Sequence, residues 1–272
     1  MTEWLRRFSR SGRARARLLC LPPGGGSARI YQNWGEPLGA EIDVVAVELP
    51  GRGDRGMEPL ITDMAELIDG VLPELDGLDE LPLVVFGHSM GAIVAWELCR
   101  TLRATRGWLP DGLVVAAAAA PASQHAPNWR SDTSDEGLLQ LITRAEGLPA
   151  DAPPDPLFLE YILPILRADL MVVNDFRPEP LPALRCDLRV YLGADDPLAG
   201  EAEAVGWLTE VEGTTRISTF PGGHFFPRDN ATPMLTQLRR DILGCTGLTK
   251  EVSAPWHPDR SPRTSIDYSS DV

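Results

Sequence analysis

A chain of 272 residues, 43% of them hydrophobic, can bury a sizeable core within one α/β domain. Its formal net charge of −14 argues against nucleic acid as a partner, since phosphate binding needs a positive surface. No apolar run approaches the roughly 18 residues of a membrane span, and no apolar stretch follows the N-terminal arginines as a secretory signal would require. The four cysteines (Cys20, Cys99, Cys186, Cys245) are scattered, with neither C-x-x-C pairs nor zinc spacing, so reduced thiols in a cytoplasmic protein are expected.

Residues 1–17 are polar and arginine-rich and read as a flexible tail. Leu18-Leu19-Cys20-Leu21 reads as a buried strand ending in the loop Pro22-Pro23-Gly24-Gly25-Gly26-Ser27. A helix is expected from Ala28 to Leu38, then a strand from Asp43 to Leu49. The following Gly51-Arg52-Gly53-Asp54-Arg55-Gly56 fits the dinucleotide pattern G-x-G-x-x-G, but that motif needs its third glycine inside a helix, and Pro59 delays the helix here. Ile61, Met64, Ala65, Ile68, Leu72 and Leu75 form a helical stripe. Apolar runs at Leu81–Phe86 and Leu113–Ala119 flank a helix from Ala92 to about Arg106. Short continuous apolar runs alternating with helical stripes predict a mostly parallel sheet with helices on both faces.

From about Ala122 to Arg185 the pattern changes to prolines and short helical stretches (136–145, 157–166, 167–174) without strands. A helical lid over the sheet edge, spanning about 122–185, is expected. The sheet resumes at Leu188–Gly193 and Thr215–Phe220, and a last helix covers about 231–243. Ser, Pro and mixed charge over 244–272 predict a disordered tail. The expected domain therefore runs over 18–243.

The chemistry centres on Gly87-His88-Ser89-Met90-Gly91, set between a strand and a helix. Glycines flanking a serine in that context make a nucleophile elbow, which lifts the hydroxyl off the carboxyl end of a sheet. A serine hydroxyl needs a base, itself oriented by an acid. Of the four histidines, His88 reads as packing, while His125 and His257 fall in the lid and the tail. His224, between the last strand and the last helix, is the candidate base. Asp195 and Asp196, at the end of the 188–193 strand, are both candidate acids. The order Ser, Asp, His is that of α/β-hydrolases. The backbone amides of Met90 and Gly24 are the expected oxyanion donors. No metal-ligand cluster or cofactor motif is evident.

The Pro22–Ser27 loop, Leu49-Pro50-Gly51-Arg52 with Arg55 and Glu58-Pro59, and the Gly87–Ala92 elbow together resemble the type II thioesterases that accompany polyketide and nonribosomal-peptide synthases. Leu166-Arg167-Ala168-Asp169, Gly193–Pro197 and Gly222-Gly223-His224-Phe225-Phe226 extend that resemblance from about Leu18 to Leu243. Pro23-Gly24 departs from the family, which usually carries an aromatic residue or histidine followed by alanine. The resemblance implies an α/β-hydrolase fold, hydrolysis of acyl groups from the phosphopantetheine arm of acyl or peptidyl carrier proteins, and Asp196 as the acid. A monomer without cofactor is expected. An acidic enzyme facing an acidic carrier needs a local cationic patch, for which Arg52 and Arg55, with Arg167 and the N-terminal arginines, are the available sources. A carboxylesterase or lipase with the same residues, or a non-catalytic carrier-binding protein on the same fold, would be the alternatives.

Overall fold

The computed structural model describes residues 3–9, 12–121, 132–146 and 155–248. Its strands are β1 (Leu5–Arg7), β2 (Ala16–Leu21), β3 (Ile42–Val47), β4 (Leu83–His88), β5 (Gly112–Ala116), β6 (Asp187–Gly193) and β7 (Thr215–Phe220). The helices are α1 (Gly35–Leu38), α2 (Met64–Val71), α3 (Met90–Arg106), α4 (Asp135–Arg144), α5 (Pro156–Asn174), α6 (Glu201–Ala204), α7 (Phe226–Asp229) and α8 (Ala231–Cys245). The strands form one sheet in the order β1-β3-β2-β4-β5-β6-β7, parallel throughout except for β1.

The unbroken apolar runs of the sequence are strands covered on both sides. Alternate residues Leu19, Val45, Val85, Val115 and Val190 face α2, α3 and α5. Their neighbours Leu18, Val44, Phe86, Val114 and Tyr191 face Tyr31, Trp34 and α8. Burial of both faces removes the polar alternation that a half-exposed strand would show.

The N-terminal segment is ordered where a flexible tail was expected. β1 pairs antiparallel with β3 through Leu5↔Val47 and Arg7↔Val45, and the ladder continues with Phe8 N–H on the Val44 carbonyl at 2.9 Å. Its arginines find carboxylates: Arg7 meets Asp43 at 3.3 Å and Arg6 meets Asp54 at 3.2 Å. A three-residue strand with one buried apolar side chain leaves no periodicity to read. The main-chain groups of β3 supply the pairing instead, and β1 covers what would be an open sheet edge.

Two helical readings also change. Residues 28–38 divide into a 3₁₀ turn at Ala28–Tyr31 and the short α1. The two stretches 157–166 and 167–174 form the single helix α5, which continues through Pro164 and starts with the Asp155 carboxylate accepting from Leu157 N–H at 2.8 Å. Together α4 and α5 occupy the expected lid region, of which 122–131 and 147–154 lie outside the described residues. So does the expected C-terminal tail from 249 onward.

Strand order reverses between β2 and β4: the chain builds β2 and β3 to one side, then crosses to β4, β5, β6 and β7. Crevices form at such switch points, at the carboxyl ends of the strands. Leu21 and Gly87 are register partners there, so the loop after β2 and the turn after β4 start side by side. That turn is tight. A Cβ on Gly87 would lie 2.1 Å from the Gly91 carbonyl oxygen, and one on Gly91 would lie 2.3 Å from that of Leu21.

His88, the last residue of β4, is buried, and its Nε2 lies 2.9 Å from the His224 carbonyl oxygen. A carbonyl only accepts, so Nε2 carries the proton and the ring ties β4 to the loop after β7. Burial, reinforced by the neighbouring His224 ring, lowers its pKa from 6.5 to about 3.

Both features are testable by equilibrium unfolding. Gly87→Ala is expected to cost at least about 3 kcal/mol, because backbone on both sides must shift. His88 is neutral in the fold and protonates more readily when unfolded, so its contribution is lost as pH falls from 6.5 toward about 3. Relative to His88→Gln, the wild type should therefore lose up to about 1.4 kcal/mol per pH unit in that window.

Candidate active site

Ser89 occupies the elbow between β4 and α3 with φ 55° and ψ −120°, a conformation costly for a residue with a side chain. Its amide donates to the Ala116 carbonyl at 2.8 Å, and its own carbonyl accepts from Ala92 N–H at 2.9 Å. Strained but held from both sides, the residue presents its hydroxyl at the crevice.

The loops after β6 and β7 bring the other two groups. Their strands pair in register up to Gly193↔Phe220, and Asp195 N–H donates to the Gly222 carbonyl at 3.0 Å just beyond. His224 Nδ1 lies 3.1 and 3.0 Å from the two carboxylate oxygens of Asp196, and its Nε2 lies 2.9 Å from Ser89 Oγ. An ionised carboxylate only accepts, so Nδ1 carries the ring proton and Nε2 offers a lone pair to the hydroxyl.

Asp196 is kept ionised by this setting. Burial alone would raise its pKa, but the His224 ring and the amides of Leu198 and Ala199 outweigh burial and hold the carboxyl below its usual range. Leu198 N–H donates to Oδ1 at 2.8 Å and Ala199 N–H at 3.3 Å. Asp195, the other candidate, is exposed and gives its backbone amide, not its carboxylate, to this network.

Met90 and Gly24 both line the cavity that Ser89 faces. Met90 N–H belongs to the first turn of α3, where amides have no partner within the helix. The cavity measures about 830 Å³. Its walls are largely apolar, with Ile93, Ala117 and Ala118 on the sheet side and Leu141, Ile142, Ile162, Leu166 and Leu170 from α4 and α5. His125 and His257 lie outside the described residues.

Of the arginines expected to contribute to a docking patch, Arg52 and Arg55 do not reach the surface. Arg52 is 2% exposed and forms a two-pronged ion pair with Asp169, its Nη1 at 2.5 Å from Oδ2 and its Nη2 at 2.7 Å from Oδ1. Arg55 is also buried: it chelates Glu58, donates to the Glu48 carbonyl at 3.0 Å and lies 4.0 Å over the Trp4 ring. Neither guanidinium can meet a partner at the surface, because each is used up inside the fold. Asp169 enters the sequence reading only as part of Leu166-Arg167-Ala168-Asp169, with no role of its own, yet a signal for one exists. It is a lone carboxylate among Leu163, Ile165, Leu166, Ala168, Leu170 and Val172, which requires a buried partner.

The family model described as Thioesterase domain matches residues 16–242. Thioesterase PikA5 of Streptomyces venezuelae is 33% identical over 246 residues, covering 90% of this chain and 87% of its own. Among solved structures, the type II thioesterase BorB from the borrelidin biosynthetic cluster superposes with a TM-score of 0.78 at 32% identity, covering 88% of this chain and 97% of BorB. RedJ, a thioesterase from the prodiginine biosynthetic pathway in Streptomyces coelicolor, gives 0.77 at 33% identity, covering 84% and 86%. Among the described residues no helix is long and apolar enough to cross a membrane. A match that begins at the first residue of β2 and ends within α8 takes in every strand and turn that carries Ser89, Asp196 and His224, and the chain belongs to the thioesterase domain family.

Proposed function

We propose that the chain is a type II thioesterase that hydrolyses acyl groups from the phosphopantetheine arm of carrier proteins, clearing misplaced or stalled chains in polyketide or nonribosomal-peptide synthesis. Ser89 is the nucleophile, His224 the general base and acid, and Asp196 the group that orients the ring and stabilises the imidazolium. The carrying observation is His224 Nε2 at 2.9 Å from Ser89 Oγ with Nδ1 fixed by Asp196, at the wall of an apolar cavity large enough for an acyl chain. BorB, named as a type II thioesterase from a biosynthetic cluster, and RedJ, named as a thioesterase from a biosynthetic pathway, support the substrate class.

The steps follow from these positions. Ser89 Oγ attacks the thioester carbonyl carbon while its proton moves to His224 Nε2. The carbonyl oxygen becomes an alkoxide, stabilised by the Met90 and Gly24 amides. Collapse breaks the C–S bond and leaves an acyl-serine, and the departing sulfur takes the proton from His224. A thiol pKa near 8.5, by analogy with cysteine, makes sulfur a better leaving group than an alkoxide. Water then attacks the acyl-serine, giving its proton to His224, and the reverse collapse releases the carboxylic acid and restores the Ser89 hydroxyl.

Turnover of an acylated carrier, a free thioester and a p-nitrophenyl ester of equal chain length tests this reading. The carrier substrate should be preferred, and an enzyme that favours the ester would be an esterase instead. Ser89→Ala should lower turnover by about 10³-fold or more with the melting temperature unchanged. Asp196→Asn should cost about 10⁴-fold in kcat, because the amide no longer selects the tautomer that leaves Nε2 free. A variant without Ser89 that still hydrolyses the thioester at the wild-type rate would remove the assignment.

A further inference from the structure

We infer that Asp169 and Arg52 are positioning residues for oxyanion stabilisation: the pair aims the Gly24 amide by gripping the turn that carries it. The inference rests on the reading of Ser89 as nucleophile.

The turn is Pro23-Gly24-Gly25-Gly26, closed by Gly26 N–H on the Pro23 carbonyl at 2.9 Å, with Gly25 at φ +75°. Such a turn moves as a rigid unit, so the direction of the Gly24 amide depends on what holds the turn. Glycine-rich backbone has no side chains with which to hold itself. Two groups from distant parts of the chain supply the grip. Asp169 Oδ2, on α5, accepts from Gly25 N–H at 2.7 Å. Arg52 Nη1, after β3, donates to the Gly26 carbonyl at 3.3 Å. Acceptor and donor are themselves locked together by the two-pronged contact, which admits only one relative orientation. Leu166, one turn before Asp169 on α5, closes the remaining side: a Cβ on Gly24 would lie 3.2 Å from its Cδ1.

Charge explains why the grip is a pair. A lone carboxylate one residue from an oxyanion donor would oppose the negative charge that develops in the transition state. Arg52 cancels that field, and both side chains are almost fully buried (Asp169 1%, Arg52 2% exposed), where opposed charges act strongly. Stability alone is a poor account of the arrangement, because apolar residues of similar volume commonly serve as well or better than a buried ion pair. A consequence concerns the lid. Asp169 rides on α5, so this part of α5 belongs to the catalytic machinery and must stay seated while the reaction proceeds.

The test uses a free thioester, together with a trifluoromethyl ketone bearing the same acyl chain, to which a nucleophilic serine adds to form a tetrahedral alkoxide. Asp169→Ala should lower kcat about 100-fold, the scale of losing one oxyanion donor, with KM changed less than about twofold. Affinity for the ketone should fall by the same factor as kcat. Asp169→Asn, which keeps an acceptor and the shape of the side chain, should fold where the alanine variant does not and lose about tenfold in both quantities. A strut with no catalytic role would reduce the folded fraction and the melting temperature while leaving ketone affinity per active site unchanged. That result in either variant, or wild-type kcat in a folded variant, overturns the inference. A wild-type enzyme that neither hydrolyses the thioester nor forms the ketone adduct at Ser89 would instead remove the reading on which it rests.

Discussion

The structure depends on the close approach of three backbone segments at the switch point of the sheet. Gly87 and Gly91 let the end of β4, the start of α3 and the end of β2 meet at distances no Cβ tolerates. This crowding sets the angle at which α3 leaves the sheet, forces Ser89 into a positive-φ conformation and brings the glycine-rich turn after β2 beside it. Two main-chain hydrogen bonds at Ser89, to Ala116 and from Ala92, hold a geometry the residue would not adopt alone. The presentation of the Ser89 hydroxyl and the proximity of the turn that carries the Gly24 amide thus share one steric origin.

Around that point the two histidines have opposite tasks, and their surroundings separate them. Both rings are buried and lie 5.4 Å apart. His88 faces a carbonyl, and burial keeps it neutral, so it works as a fixed donor to the backbone of His224. His224 has Asp196 at one nitrogen and Ser89 at the other, so a proton arriving at Nε2 is matched by a carboxylate across the ring. The amides of Leu198 and Ala199 in turn secure that carboxylate. Each ring is thus held by its own fixed set of partners.

The cationic side chains show the same economy. In a chain with a single lysine and a large acidic excess, arginines are bound to be claimed by nearby carboxylates. Arg52, Arg55, Arg17 and Arg189 are all buried in this way, paired with Asp169, Glu58, Asp43 and both Asp187 and Asp241. Their planar, forked donors tie together elements distant in the chain, which a surface role in carrier recognition would not require.

Much of this was legible in the residues themselves. The apolar runs at 81–86, 113–119 and 188–193 have one physical use, burial on two faces, and they announced a parallel sheet whatever their neighbours were. The elbow around Ser89 and the glycines before His224 carry local geometry in their own composition. Three further facts came only with the fold: β1, whose place is set by the free edge of β3; the choice of Asp196 over Asp195 by geometry, without help from a resemblance; and the burial of Arg52. Each concerns partners far apart in the chain, such as 117 positions between Arg52 and Asp169 or 135 between Ser89 and His224. Turn chemistry and apolar periodicity act over a few residues and are written into any short stretch. Which charge meets which carboxylate is decided by how the sheet and its helices stack, so only the tertiary structure could say that an apparent surface arginine lies locked against the glycine-rich turn after β2.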